Sequence, residues 1–202
     1  MWNSVNEILK TFAAGEFVII FDEHRECEGD FFVLAQTITP QKINFLLKKA
    51  RGQICVACAP EILDTLKIPL LTQKNENPHG TNFTMPVDAT NGISTGVSAF
   101  DRAKTIQVLA SPDSKSTDLV RPGHTFPLRS QNISDRFGHT EAAVELVKTI
   151  NTKLNLKLIP SVVICEILDE DGGKASLEFL QKIFLKIPMI SLEEVRKAVG
   201  KI

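Results

Sequence analysis

Residues 21–30 read FDEHRECEGD and carry five carboxylates, Asp22, Glu23, Glu26, Glu28 and Asp30, with Arg25 among them. Mutual repulsion makes that density costly unless a cation relieves it. Clustered hard oxygen donors suit Mg²⁺ or Mn²⁺ better than zinc. The competing reading is a solvated hairpin turn with Gly29 making the bend, although a turn needs only about two to five residues and no carboxylates.

Four more groups could act on a substrate beside such a cation. In RPGHTFPLR (residues 121–129), two prolines and a glycine predict a stiff loop that presents His124. Histidine is the natural proton carrier near neutral pH, although a lone histidine also serves as a structural residue. In RFGHTE (136–141), Arg136, Gly138, His139 and Thr140 stand where a helical pattern begins. Free N–H groups, a hydroxyl and a guanidinium there make a phosphate cradle, with His139 in reach of an adjacent metal. Simple capping by Thr140 is the alternative. Glu166 interrupts the apolar run SVVICEIL (161–168). A carboxylate in a buried run is costly unless paired or bound, which makes it a general-base candidate; the alternative is an edge-strand glutamate facing water. In STGVSAFDRAKT (94–105), Thr95, Ser98, Asp101 and Arg102 surround a helix start whose hydroxyls and N–H groups could bind sugar hydroxyls or phosphate, although capping by Ser98 is the simpler reading.

The elements that must position these groups are legible in outline. Ser4 and Glu7 form a capping box before a helix that Gly15 stops. Strands are predicted at 17–21 and 31–34, a helix from Thr39-Pro40 to about residue 50, a strand at 53–59 and a short helix at 60–66. A polar loop at 73–80 precedes strand character at 82–89, where Pro86 argues for an edge or bulge. Helices are expected at 98–109, 140–150 and 176–186, a connector at 111–117, a strand at 161–168, and a last capping box from Ser191 to Glu194. Strands and helices mix without strict alternation, which predicts an α+β domain.

The 202 residues suffice for a proper core; 43% are hydrophobic, 23% are charged, and the net charge is -1. There is no basic excess of the kind nucleic-acid or membrane-surface proteins carry, so neither partner is expected. No apolar run approaches a membrane span, and the first residues lack a secretory pattern, so the expected location is the cytoplasm. Four cysteines, at 27, 55, 58 and 165, are read as thiols. Cys55 and Cys58 form a C-x-x-C inside a β-prone run without a flanking turn, which favours core packing over a zinc or redox pair.

Taken in order, the motifs D-E-x-R-E-x-E-G-D, G-T-x-F-T, S-T-G-V-S-A-x-D-R, R-P-G-H-x-F-P-L-R, R-x-G-H-T-E-A and C-E-I-x-x-x-D-G resemble the 3,4-dihydroxy-2-butanone 4-phosphate synthases of riboflavin biosynthesis, from about residue 15 to 172. The resemblance implies one α+β domain over residues 1–202, a mixed sheet with flanking helices. It implies a lyase that converts D-ribulose 5-phosphate to 3,4-dihydroxy-2-butanone 4-phosphate and formate by enolisation, dehydration, skeletal rearrangement and C–C cleavage. Mg²⁺ is the implied cofactor, Mn²⁺ a substitute, with two ions per site. Glu26 and His139 match the metal ligands. Arg25, Glu26, Asp30 and Glu166 match substrate contacts, Arg136 to Thr140 (with Gly138 and His139) the phosphate segment, and His124 and Glu166 the catalytic positions. The family is homodimeric, with active sites where the subunits meet. The acidic segment is then expected to close as a lid over metal and sugar phosphate. Some relatives carry a fused GTP cyclohydrolase domain; none is expected here, so such a partner would be a separate protein.

The chain departs from the family pattern at several points. Phe21 stands where the acidic motif usually begins with aspartate, and His24 and Cys27 replace the usual Asp and Asn. The loop between Arg129 and Arg136 lacks the usual Gly-Gly, residues 149–160 are lengthened, and the usual D-G-T-M is D-G-G-K at 171–174. These departures leave a second reading open, a diverged and weakly active or inactive relative that binds a sugar phosphate or a partner protein. A zinc hydrolase using Cys55, Cys58 and the histidines is a third.

Overall fold

A computed structural model of the chain describes residues 2–200. In chain order, α1 (Val5–Ala13) leads into β1 (Val18–Asp22) and β2 (Glu28–Leu34). Next come α2 (Pro40–Lys49), β3 (Cys55–Cys58), α3 (Pro60–Thr65), β4 (Val87–Ala89), α4 (Ala99–Leu109) and β5 (Leu119–Arg129). The chain continues through α5 (His139–Leu154), β6 (Ser161–Glu166), α6 (Leu177–Ile183), β7 (Met189–Ser191) and α7 (Leu192–Val199). The strands form one seven-stranded sheet in the order β4-β5-β3-β6-β2-β1-β7. Pairing is parallel at β1/β7 and β3/β5 and antiparallel elsewhere. The sheet is mixed and flanked by helices, in agreement with the α+β reading.

Both faces of the sheet are covered, which is why its strands read as apolar runs rather than alternating ones. Phe31, Val33, Val56, Cys58, Val163 and Cys165 point into one core, closed by Ile43 and Leu46 of α2 and by Ala103 and Ile106 of α4. Phe32, Leu34, Cys55, Ala57, Val162 and Ile164 point into the other, closed by α1, α5 and α7. The period of two along a strand assigns each neighbour to the opposite layer. Cys55 and Cys58, three apart, therefore end in different cores, and the C-x-x-C pair packs as two buried apolar residues.

Helix starts follow the sequence. Ser4, Thr39, Ser98, Ser176 and Ser191 each cap a helix by accepting from the backbone N–H three residues on. Two local expectations are corrected. The bend of the acidic hairpin falls at residues 23–27, with Cys27 in the left-handed region (φ 49), while Gly29 lies inside β2 opposite Phe21. The segment around His124 is not a loop but the middle of the 11-residue β5. Proline tolerates strand φ values, and Pro127 still serves its neighbour as an acceptor for the N–H and hydroxyl of Thr84. The short β7 was not anticipated; its three residues gain strand geometry only by pairing with β1. Among the described residues, no helix is long and apolar enough to cross a membrane.

Candidate active site

Along β2, the residues facing α5 run Leu34, Phe32, Asp30, Glu28, and along β6 they run Val162, Ile164, Glu166. The apolar layer thus ends in carboxylates at one end of these two interior strands, where the start of α5 also lies. Glu26, Glu28, Asp30, Cys55, His79, Thr81, Arg136, His139, Thr140, Glu166 and Lys174 are among the residues that line a cleft of about 320 Å³ there. Asp30 and Glu166 sit directly opposite each other on β2 and β6. Phe21, by contrast, faces the other core, packed near Trp2 and beneath Gly29. An aspartate at that position would not project into the cleft, so Phe21 removes no carboxylate from it.

Asp22 builds the acidic turn. Its Oδ1 accepts from the N–H groups of His24 (3.0 Å) and Arg25 (3.1 Å), and its Oδ2 from that of Glu26 (3.2 Å). Burial opposes the charge of Asp22, but these three hydrogen bonds outweigh it and hold the carboxyl below its ordinary range. The turn delivers Glu26 to His139, with Nδ1 3.3 Å from Glu26 Oε2 and 3.8 Å from Asp30 Oδ1. The hydrogen bond from His139 draws the Glu26 carboxyl down to about 2. His139 feels burial in the opposite sense, and the charges of Asp30 and Glu26 override it and raise the imidazole to about 9. Burial pushes Asp30 and Glu166 upward, each reinforced by neighbouring carboxylates.

Among the described residues, Glu26, Glu28 and His139 bring one ligand atom each within 4.8 Å of one another. Asp30 Oδ1 and His139 Nε2 are buried without a hydrogen-bond partner, a costly condition that a bound ion or its waters would relieve. Carboxylate oxygens with one imidazole are a donor set that Mg²⁺ and Mn²⁺ accept. The residues present therefore fit a divalent cation. Glu28 was not singled out as a ligand in the sequence, although its place two residues from Glu26 and from Asp30 in a strand-like register was the available signal.

The phosphate segment is assembled as a buttressed helix start. Gly138 is the N-cap of α5, and Glu141 rather than Thr140 returns to cap it, accepting from Gly138 N–H (3.1 Å). Glu141 also pairs with Arg136 and accepts from Gln131 N–H (3.1 Å). Arg136 donates further to the His79 carbonyl (2.9 Å) and to Thr81 Oγ1 (2.9 Å). A side chain on residue 138 would press on the Arg136 guanidinium, with contacts of 2.9 to 3.1 Å, so glycine lets the arginine lie across the helix start. Arg25 reaches the carbonyls of Phe137 (3.5 Å) and His79 (3.4 Å), linking the acidic turn to this wall. The 129–136 loop, without the family's Gly-Gly, is tied by Asn132 and Gln131 and delivers Arg136. The first turn of α5 leaves N–H groups without intrahelical acceptors, which is what an anion requires.

Glu166 closes the cleft from β6, its Oε2 accepting from Gln53 N–H (3.0 Å). Of the predicted residues, Arg25, Gly138 and His124 do not line this cleft; Arg25 is tied to its wall through Phe137 and His79, Gly138 caps α5 beside it, and His124 belongs to another strand. It lies on β5, separated from β6 by β3. Its ring is half exposed and bound through Nδ1 to Asp88 Oδ2 at 2.7 Å, while Asp88 Oδ1 accepts from its backbone N–H at 2.9 Å. Asp88 was not recognised in the sequence; such a carboxylate fixes a histidine's tautomer and leaves Nε2 available. Gly96, at φ +95, passes so close that a Cβ would collide with the Asp88 carboxylate and the His124 ring.

The Gly96 loop is held in turn by buried Asp101, which accepts from Ser94 Oγ (2.6 Å), Ser94 N (3.0 Å) and Gly96 N (3.0 Å). Hydrogen bonds led by the Ser94 hydroxyl lower its carboxyl from 3.8 to about 2. A folded-state pKa below the unfolded one contributes stability above the unfolded value, lost as pH falls through the folded value. The melting temperature of wild type is accordingly expected to exceed that of Asp101→Asn by a constant margin at neutral pH, and the margin to close as pH falls from 3.8 to about 2. A margin independent of pH would show that the carboxylate charge contributes nothing there.

The model of the family described as 3,4-dihydroxy-2-butanone 4-phosphate synthase matches residues 6–198. A Neisseria meningitidis protein of that name is 48% identical over 181 residues, covering 88% of this chain and 48% of the relative. An Agrobacterium fabrum protein of the same name is 43% identical over 180 residues, covering 88% of this chain and 82% of the relative. The chain spans about half the length of several curated relatives it matches, among them an Aquifex aeolicus riboflavin biosynthesis protein (48%). Among solved structures, a 3,4-dihydroxy-2-butanone 4-phosphate synthase in complex with two magnesium ions superposes with a TM-score of 0.86 at 31% identity, covering 99% of this chain and 98% of the other. A Candida albicans synthase gives 0.87 at 34% identity, covering 98% of each.

Proposed function

The chain belongs to the 3,4-dihydroxy-2-butanone 4-phosphate synthase family, and from that premise we propose that it converts D-ribulose 5-phosphate to 3,4-dihydroxy-2-butanone 4-phosphate and formate, with Mg²⁺ as cofactor and Mn²⁺ as a substitute. The observation that carries this reading is the convergence of Glu26, Glu28, Asp30, His139, Thr140 and Glu166 on one cleft. Glu26, His139 and Glu28 would hold divalent metal, proposed as two ions per site; a relative of this family is known in complex with two magnesium ions. When bound there, the metal supplies Lewis acidity that makes a proton beside the substrate ketone easier to remove.

The chain's own residues do the rest. The start of α5 receives the phosphate, with Arg136 and Glu141 keeping that wall rigid. Arg25 and Asp30 reach the sugar. Glu166, a carboxyl whose environment favours the protonated form, exchanges a proton with a substrate hydroxyl or carbon. The acidic turn closes over the substrate and keeps water from diverting reactive intermediates.

His124 completes the site from a second copy of the chain. Its exposed ring lies beside Gly96 and is bound to Asp88, the strand partner of Val120, and the flanking segments carry exposed apolar side chains, Val97, Phe100 and Val120, at 56%, 69% and 45% exposure, suited to burial against a partner. The protein is thus proposed to be a homodimer with active sites at the subunit boundary, acting in the cytoplasm.

The first test is direct. Purified protein is incubated with D-ribulose 5-phosphate and Mg²⁺, or with EDTA, and formate is followed by NMR. Formate that depends on metal is expected. Its absence under both conditions, from a folded dimer, would mean that the chain has left the family's reaction.

A further inference from the structure

Lys174 enters the cleft from a hairpin that nothing above assigns a role. Leu168 and Lys174 face each other across an antiparallel bridge, and Gly172 takes the turn at φ +83. Asp169 fixes the turn, accepting through Oδ1 from Asp171 N–H (3.0 Å) and Gly173 N–H (2.8 Å) and donating its own N–H to the Gly173 carbonyl (2.8 Å). The Arg51 guanidinium holds the Asp169 carbonyl from outside. This rigid base aims the lysine at the acidic turn. Nζ donates to the Glu26 carbonyl at 2.7 Å and lies 3.4 Å from Glu28 Oε2. Lys174 therefore contacts two of the three residues whose ligand atoms cluster for a metal, and it is the lysine among the residues lining the cleft.

We propose that Lys174 is a resident counter-ion of the metal cluster: its ammonium occupies Glu28 when no metal is bound and competes with the divalent ion for that carboxylate. The inference rests on the metal reading above and adds to it a residue that sets affinity. The argument is one of charge. Glu26, Glu28, Asp30 and Glu166 crowd one cleft, and a fixed cation lowers their mutual repulsion in the absence of metal. The same cation repels an incoming divalent ion and must give up Glu28 to it. The hydrogen bond to the Glu26 carbonyl does not conflict with metal binding through the side chain, so Lys174 can stay on the turn while releasing Glu28.

The test is Mn²⁺ binding by the full chain, read from the electron paramagnetic resonance signal of the free ion. Lys174→Met should bind Mn²⁺ about three- to tenfold more tightly than wild type at low ionic strength, and the gap should narrow as salt screens the charge. Lys174→Arg, which keeps the charge, should stay near wild type. A merely structural lysine would not produce tighter binding or a salt-dependent gap. Lys174 is half exposed, so the fold should survive; unchanged circular dichroism and melting check this. Equal or weaker binding by Lys174→Met, with wild type binding Mn²⁺, overturns this inference alone. No binding by either protein overturns the metal reading and this inference with it.

Discussion

Glu166→Gln is expected to lower formate release from D-ribulose 5-phosphate by about 10²- to 10⁴-fold, the range in which loss of a positioned proton-transfer group falls. The substitution keeps size and the hydrogen bond from Gln53 N–H, so loss of activity would report the proton and not the shape. The same change should raise thermal stability at neutral pH. Burial, together with Glu28 nearby, lifts the Glu166 carboxyl above 4.5, and Asp30 lies directly opposite on β2. An acid whose folded pKa exceeds its unfolded value costs folding free energy once the pH passes the unfolded value, and that cost disappears below it. The stabilisation of Glu166→Gln should therefore be present at pH 7 and absent below about pH 4. An active and no more stable Glu166→Gln would remove the glutamate from the chemistry and from the charge balance of the cleft.

The second large effect concerns His124. Its replacement by alanine should lower turnover by about 10²- to 10³-fold, with Mn²⁺ binding unchanged because the ring lies away from Glu26, Glu28 and His139. If the ring serves the partner's cleft, two inactive proteins can repair each other. Subunit exchange between Glu166→Gln and His124→Ala should restore about a quarter of wild-type activity, because half of the dimers are mixed and each mixed dimer carries one intact site of two. No recovery after verified exchange would place both residues on one protomer. Asp88→Asn should reduce kcat about 10²-fold while leaving KM and metal binding nearly unaltered, since the carboxylate acts only through the orientation and tautomer of His124. A change confined to KM would instead make Asp88 a substrate contact.

The candidate site was legible in the sequence wherever its residues are close along the chain. Arg25, Glu26 and Asp30 lie on one turn and strand, and Gly138, His139 and Thr140 on one helix start. Local geometry alone keeps such groups together. Glu166 stood out because a carboxylate in an apolar run needs a reason. Asp88, Glu28 and Lys174 did not stand out, because each owes its role to a neighbour that is distant in sequence or to the face of a strand it occupies. Asp88 meets His124 across 36 residues, and Lys174 reaches Glu26 across 148. Polar residues in short segments carry no mark of such partners.

Phe21 shows the same limit from the other side. In the sequence it is a missing acid in an acidic motif. In the sheet it belongs to the opposite layer, because successive side chains of a strand point to opposite faces. His124 likewise read as a loop residue from its prolines and glycine, but pairing with β3 and β4 makes that segment a strand. The sequence by itself determined the helix starts, through caps that act within four residues, the two-sided burial of the strands, and the chemistry available in each motif. Only the tertiary structure decided which motifs share a cleft and which face each strand residue takes. It also decided that His124 stands apart from Glu166, because strand order is a property of long-range pairing that no local segment encodes.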